Sequence, residues 1–165
     1  MDSFNPQDVI RIFQDTVTNH YFDMNGRVRR RDFWYCVLGC VVAGIAAAIL
    51  SMFIGIISPL VSLALLAPTA GMGARRLQDV GRPGSLVWIF IAPSAIIQVV
   101  ALLMWMSGPF GALGFLTFYF TVGWLINLVA LGGLIMMIYF GVQAGNVGPN
   151  QFGPDPKGAT APATV

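Results

Sequence analysis

Side chains able to do chemistry are few in this sequence. All seven acidic residues are Asp, the one histidine is His20, and the two cysteines are Cys36 and Cys40. The ionisable residues gather in blocks: Gly26-Arg27-x-x-Arg30-x-Asp32, then Arg75-Arg76-Leu77-x-Asp79-x-Gly81-Arg82, and finally Asp155. Three chemistries are open to them. Carboxylates accept paired hydrogen bonds from guanidinium groups, which would make a structural clamp. Surplus arginines suit phosphate oxygens, which would make a site for an anionic headgroup. Acid–base catalysis is the weakest of the three, since no Glu and no nucleophile accompany these carboxylates. We therefore read Arg27, Arg30, Asp32, Arg75, Arg76, Asp79, Arg82 and Asp155 as a clamp and assign no catalytic residue. Arg29 and Arg31, outside the motif positions, are the headgroup candidates.

The sulfur and imidazole groups add little. Cys36 and Cys40, four apart on one helix, stack with parallel Cβ vectors, which is poor disulfide geometry. They read as small apolar packers. His20 lies well before them, and a metal site would need more ligands. No metal and no cofactor is expected.

The elements that must position these blocks follow from the spacing of charge. Residues 33–74 carry no charge, and neither do residues 83–154. The 165 residues are 56% hydrophobic, with a mean hydropathy of +0.74. One helical crossing of the hydrocarbon needs about 20 apolar residues, so each gap holds about two crossings. The expectation is an all-α integral membrane protein with four transmembrane helices, at about 33–53, 57–76, 85–106 and 115–141. This excludes a soluble enzyme, a nucleic-acid binder and a disordered chain. A single membrane domain over 1–157 and a disordered Gly/Pro/Ala/Thr tail over 158–165 complete the organisation.

A short amphipathic helix precedes the crossings. Asn5 can cap it, and Pro6 suits its first position. Asp2 and Asp8 favour the positive end of its dipole, and Val9, Ile12, Phe13 and Val17 share a face. The stretch 27–35 places arginines directly before Phe33-Trp34-Tyr35, the arrangement of a membrane boundary. Residues 75–84 read as the one charged loop between crossings, with Arg75 and Arg76 snorkelling to the surface. The rows Gly39/Ala43/Ala47 and Cys40/Gly44/Ala48 allow close helix approach. Ser107 to Gly111 reads as an uncharged turn, and the long last crossing tilts or bends near Gly132-Gly133. Gln98 and Asn127 are expected to hydrogen-bond across helices. With four crossings, all nine Lys and Arg residues share one side. The positive-inside rule makes that side cytoplasmic, both termini included. The first crossing is expected to remain as an anchor, since the polar residues 1–32 do not read as a signal peptide.

The blocks also carry a resemblance. Gly26-Arg27-x-x-Arg30-x-Asp32-Phe33-Trp34, then Pro68 with Arg75-Arg76-Leu77-x-Asp79-x-Gly81-Arg82-x-Gly84, then Asn150-x-Phe152-Gly153-Pro154-Asp155-Pro156, resemble the domain-of-unknown-function 805 family. It covers roughly residues 20–157 and implies a small multi-pass helical protein of the bacterial inner membrane, with no set of catalytic residues to carry over. The family's usual His stands here as Gln78, which argues against an indispensable imidazole. Its usual Ser-Gly-Trp reads Pro83-Gly84-Ser85 here, with the nearest tryptophan at Trp88.

The expected function is that of a non-catalytic structural or accessory subunit. Its partners would be anionic membrane lipids and other membrane proteins or a second copy, with no nucleic acid. The alternative is a small transporter or channel for a neutral solute.

Overall fold

A computed structural model describes residues 4–158 as a helical bundle. Helix α1 spans Pro6–Asn19, α2 Arg30–Ser51 and α3 Ile57–Asp79. A single 3-10 turn, Gly84–Leu86, leads into α4, Val87–Met106. Helix α5, Gly108–Phe118, continues through a π-helical turn, Tyr119–Gly123, into α6, Trp124–Val142. Among the described residues, four helical runs are long and apolar enough to cross a membrane: Arg30–Ser51, Ile57–Asp79, Gly84–Met106 and Gly108–Val142.

Helix α1 starts where its capping chemistry puts it. Asn5 Oδ1 accepts the Gln7 N–H (3.0 Å) and Pro6 opens the first turn. Asp2 and the rest of 1–3 lie outside the described residues. The helix lies on α2, burying Val9 and Thr16. At Gly39 of α2 a Cβ would stand 2.7 Å from the Phe13 ring, so that glycine receives α1 rather than a transmembrane neighbour. The following turn is tight: Asp23 Oδ1 accepts the Asn25 N–H (3.0 Å) and Gly26 has φ +97°.

The connection into the bundle exploits a gap in α3. Pro68 has no N–H, so the carbonyl four residues earlier, Ala64 O, loses its helical partner. The Tyr21 hydroxyl donates to it at 2.6 Å. In hydrocarbon an unsatisfied carbonyl is costly, so the segment before α2 closes a hole that Pro68 opens. Asp23 also lies directly on Gly71, where a Cβ would meet its carbonyl oxygen at 2.8 Å.

Several expected boundaries move. Arg75 to Asp79 are the last turn of α3 and not a loop; only 80–83 connect α3 to the 3-10 turn. Gly81 supplies the positive φ (+78°) of the helix end, where Arg82 N–H reaches Leu77 O (2.8 Å). The last run begins at Gly108, because Gly108 takes φ +68° and Pro109 suits a first helical turn. Its irregularity lies at Tyr119–Gly123 rather than at Gly132-Gly133. Gly133 serves close approach instead: its Cβ would stand 2.9 Å from Phe90 Cα. Gly158 donates its N–H to Asp155 O (3.0 Å), so the first residue of the expected disordered tail sits in a turn. Residues 159–165 lie outside the described residues.

Burial concentrates at one end of the bundle. Ala70, Ala74, Leu77, Val87, Phe90, Ile91 and Phe140 form one apolar cluster, and Val28, Phe33, Cys36 and Met72 another. Away from that end, α2, α4 and α6 leave Val42, Ile45, Ile49, Ile96, Leu103, Leu128 and Ile135 largely exposed. Apolar patches on this scale mark a membrane surface.

Candidate functional site

The buried end of the bundle is built around one carboxylate. Asp79, in the last turn of α3, receives Arg27 Nε on Oδ1 (3.0 Å) and Arg76 Nη1 on Oδ2 (2.5 Å). The side chains of Arg27, Arg76 and Asp79 are 1%, 0% and 5% exposed. A dry ion pair is tolerable only when its remaining donors are also satisfied. Here they are, by main-chain carbonyls after and at the end of α6. Arg76 gives Nε to Phe140 O (3.2 Å) and Nη2 to Gln143 O. Arg27 gives Nη1 to Gly148 O (2.6 Å), with a longer contact to Gly153 O (3.4 Å), and Nη2 to Asn146 O (2.5 Å). Asp79's own carbonyl accepts the Asn146 N–H (2.8 Å).

Three parts of the chain therefore meet at Asp79: the segment before α2, the end of α3 and the strap 143–153. Only glycine fits at the crossing point. A Cβ on Gly145 would stand 2.0 Å from Asp79 Oδ2, an oxygen that Arg76 holds in place. Gln78 fastens the same junction from the other side. Its Nε2 donates to Met24 O (2.9 Å), its carbonyl accepts Asn150 Nδ2 (2.9 Å), and Gly84 lies against its amide. Asn150 and Gly153 close a tight turn through paired backbone bonds of 3.0 and 3.1 Å.

Asp155 closes the strap. Its carboxylate accepts the Gly148 N–H and the Lys157 N–H, both at 2.9 Å. Those bonds hold its pKa below the ordinary carboxylate range, with smaller help from the charges of Arg27 and Lys157.

Of the eight residues read as a clamp, Arg27, Arg76 and Asp79 are in direct contact, and Asp155 joins them through the strap. The other four sit apart. Arg30 is exposed and gives Nη1 to Val142 O (3.2 Å). Asp32 faces Arg31 Nε at 3.5 Å, and Arg75 Nη2 lies 3.5 Å from Met72 Sδ. Arg82 is exposed and pairs with no carboxylate among the described residues. Arg76 does not snorkel; it is fully buried, because Asp79 and two carbonyls replace its water. The two headgroup candidates are also engaged with the chain. Arg29 Nε donates to Pro156 O (2.7 Å), and Arg31 lies 5.9 Å from the Tyr35 ring centre.

Two cavities lie deeper. One, of about 420 Å³, runs between α2, α3, α4 and α6 below Phe33 and Trp34. The other, of about 940 Å³, sits at the opposite end near Gly55, Trp105 and Gly108. Ser62 lines both. Gln98 faces the second cavity, and Asn127 gives its amide to Gly123 O of its own helical run (2.8 Å) rather than across helices.

This junction falls inside a known family pattern. The profile of the family described as protein of unknown function DUF805 matches residues 21–154. The chain belongs to that family. The DUF805 match takes in Arg27, Arg76, Asp79 and the strap up to Pro154, and leaves α1 outside. Inner membrane protein YhaI of Escherichia coli strain K12 is 25% identical over 146 residues, 86% of this chain and 92% of the relative. Inner membrane protein YhaH of the same strain is 24% identical over 149 residues, 86% and 93% of the two chains. No solved structure matches the chain. With four helices of spanning length, this DUF805 protein is an integral membrane protein related to inner membrane proteins.

Proposed function

We propose that the protein is a non-catalytic structural or accessory subunit of an inner-membrane assembly, with its arginine-rich face in the cytoplasm against anionic headgroups. The supporting observation is the use made of its buried charge. Asp79, Arg27 and Arg76 spend their hydrogen bonds on one another and on the strap. A catalytic carboxylate would need a free lone pair facing a substrate. In an accessory role the junction presents a rigid face made of the segment before α2, the end of α3 and the strap. Purification in mild detergent should then recover another membrane protein, or a second copy, at a fixed ratio. A chain that purifies alone as a monomer would overturn the accessory role.

In this reading α1 is an amphipathic helix at the cytoplasmic interface, its buried Val9 and Thr16 on α2 while Phe4 and Ile10 stay exposed. Both termini are cytoplasmic by the positive-inside rule. Single cysteines test this in a chain with Cys36 and Cys40 replaced by Ala. Phe110 and Val147 are strongly exposed at opposite ends of the bundle, so each tolerates a probe. Phe110→Cys should react with an impermeant thiol reagent from outside intact cells and Val147→Cys only after lysis. Reaction of both from outside would overturn the orientation.

One observation favours the second reading, a transporter for a neutral solute: Ser62 lines both cavities, one reaching Phe33 and the other Gly55 and Gly108. Flux of a neutral solute in proteoliposomes, abolished by Ser62→Phe, would replace the accessory role with that one.

A further inference from the structure

Helices α2 and α6 touch at the charged end of the bundle and part below it. At the contact, Trp34 Nε1 donates to Gly141 O (3.2 Å), and a Cβ on Gly141 would stand 2.8 Å from the Phe33 ring. Further along α2, a Cβ on Gly44 would have no neighbour within 4 Å. The space between is the cavity of about 420 Å³, lined by Val37, Val41 and Gly44 of α2 and Leu134, Met137 and Ile138 of α6. Gly44 thus faces an open slot, while Cys40 one turn before it rests against Thr69 of α3 (Sγ–Oγ1 3.8 Å).

The slot has a charged cap. Arg30 precedes Trp34 by one helical turn, on the same face of α2. It is exposed, reaches the end of α6 at Val142 O, and has no carboxylate partner among the described residues. The nearby carboxylate, Asp79, is already shared by two guanidinium groups. This corner therefore holds an excess of positive charge at the membrane boundary, directly over an apolar slot.

We propose that the slot between α2 and α6 seats one acyl chain of an anionic phospholipid whose phosphate sits at Arg30. A second copy of the chain fits less well. A two-fold axis along the membrane normal would set the two positive corners side by side with no anion between them. The inference rests on the arginine face as a lipid contact but adds a seat to it, and the two fail separately.

The test is native mass spectrometry of the full chain, taken from vesicles of equal phosphatidylglycerol and phosphatidylethanolamine into mild detergent. The wild type should retain one phospholipid, mostly phosphatidylglycerol, at high salt. Arg30→Gln should cut the preference for phosphatidylglycerol by roughly fivefold, the value of about one arginine near the surface. Gly44→Leu fills the slot where space is open and should remove the retained lipid of both kinds. Ala130→Leu, another lining position, serves the same purpose if Gly44→Leu does not fold. Arg29→Gln with Arg31→Gln should leave the seated lipid in place and lower only the salt-sensitive association. Lipid retention equal to wild type in a folded slot-filling variant would overturn the seat. So would a wild type that sheds all lipid, or a Gly44→Cys variant, with Cys36 and Cys40 replaced by Ala, that cross-links to a second copy. A double variant with unchanged low-salt association would overturn the general lipid contact alone.

Discussion

Asp79→Ala should be the most damaging single substitution in the chain, costing about 3–5 kcal/mol of folding stability, the usual effect of removing one partner from a buried pair. The loss is large because the variant strands two guanidinium groups, each almost fully buried, and neither can reach water without opening the junction. Their mutual repulsion, unscreened at this depth, adds to the cost. Thermal unfolding in detergent, followed by tryptophan fluorescence, reads the effect, since Trp34 bridges α2 and α6 next to the junction. A cycle separates the pair from its surroundings: Arg27→Ala should cost much less in the Asp79→Ala background than in the wild type. Asp79→Asn keeps an acceptor oxygen and loses the charge, so it should fall between. An unchanged melting temperature for Asp79→Ala would show that the junction does not hold the fold together.

The crossings were legible because hydrocarbon tolerates so few residue types. Two uncharged stretches of the right length leave little room for anything but four helices, and four runs are found. Helix ends were harder to place. Arg75 to Asp79 read as a loop because charge in a membrane protein ordinarily marks water. In fact they continue α3, since Arg76 and Asp79 lie three apart and satisfy each other inside the bundle. The bend that the paired glycines Gly132-Gly133 suggest lies instead at Tyr119–Gly123. There the Thr121 hydroxyl draws on Thr117 O (2.8 Å) and Phe118 O (3.1 Å). The members of the junction stood within one expected clamp of eight residues, but which of the eight meet was not visible. Arg76 and Arg82 look alike in sequence, one fully buried and the other exposed. What selects Arg76 is Asp79 one turn on and the carbonyls of Phe140 and Gln143, and any residue type supplies a carbonyl. The one available signal was the glycine spacing of 145–153, uncharged and turn-rich. Gly145 is needed because only a hydrogen fits against Asp79.

Arg27→Lys should release the strap while leaving the helices folded. Charge is conserved in this substitution, so its effect isolates the shape of the guanidinium. Arg27 reaches Asp79 Oδ1 from Nε, Gly148 O from Nη1 and Asn146 O from Nη2. These acceptors lie along different edges of one planar fork. An ammonium group offers three donors from a single point and cannot span them. Lysine will keep the carboxylate, the strongest acceptor, and leave the carbonyls of the strap behind. The strap has little else to hold it. Val147 is 97% exposed, and beyond Arg27 the strap is tied by Arg76 on Gln143 at its start, a backbone bond at Asn146, Asn150 on Gln78, Arg29 on Pro156 and the Asp155 turn. Bonds to a charged group contribute about 1.5–3 kcal/mol each. Losing two should speed amide exchange across 145–157 by roughly a hundredfold or more, since about 1.4 kcal/mol corresponds to tenfold. Hydrogen-exchange mass spectrometry checks this against peptides of α4, whose protection should stay as in the wild type. Equal protection of the strap in Arg27→Lys would mean that charge alone holds it. A uniform loss across all helices would mean that the fork sustains the whole bundle and not the strap in particular.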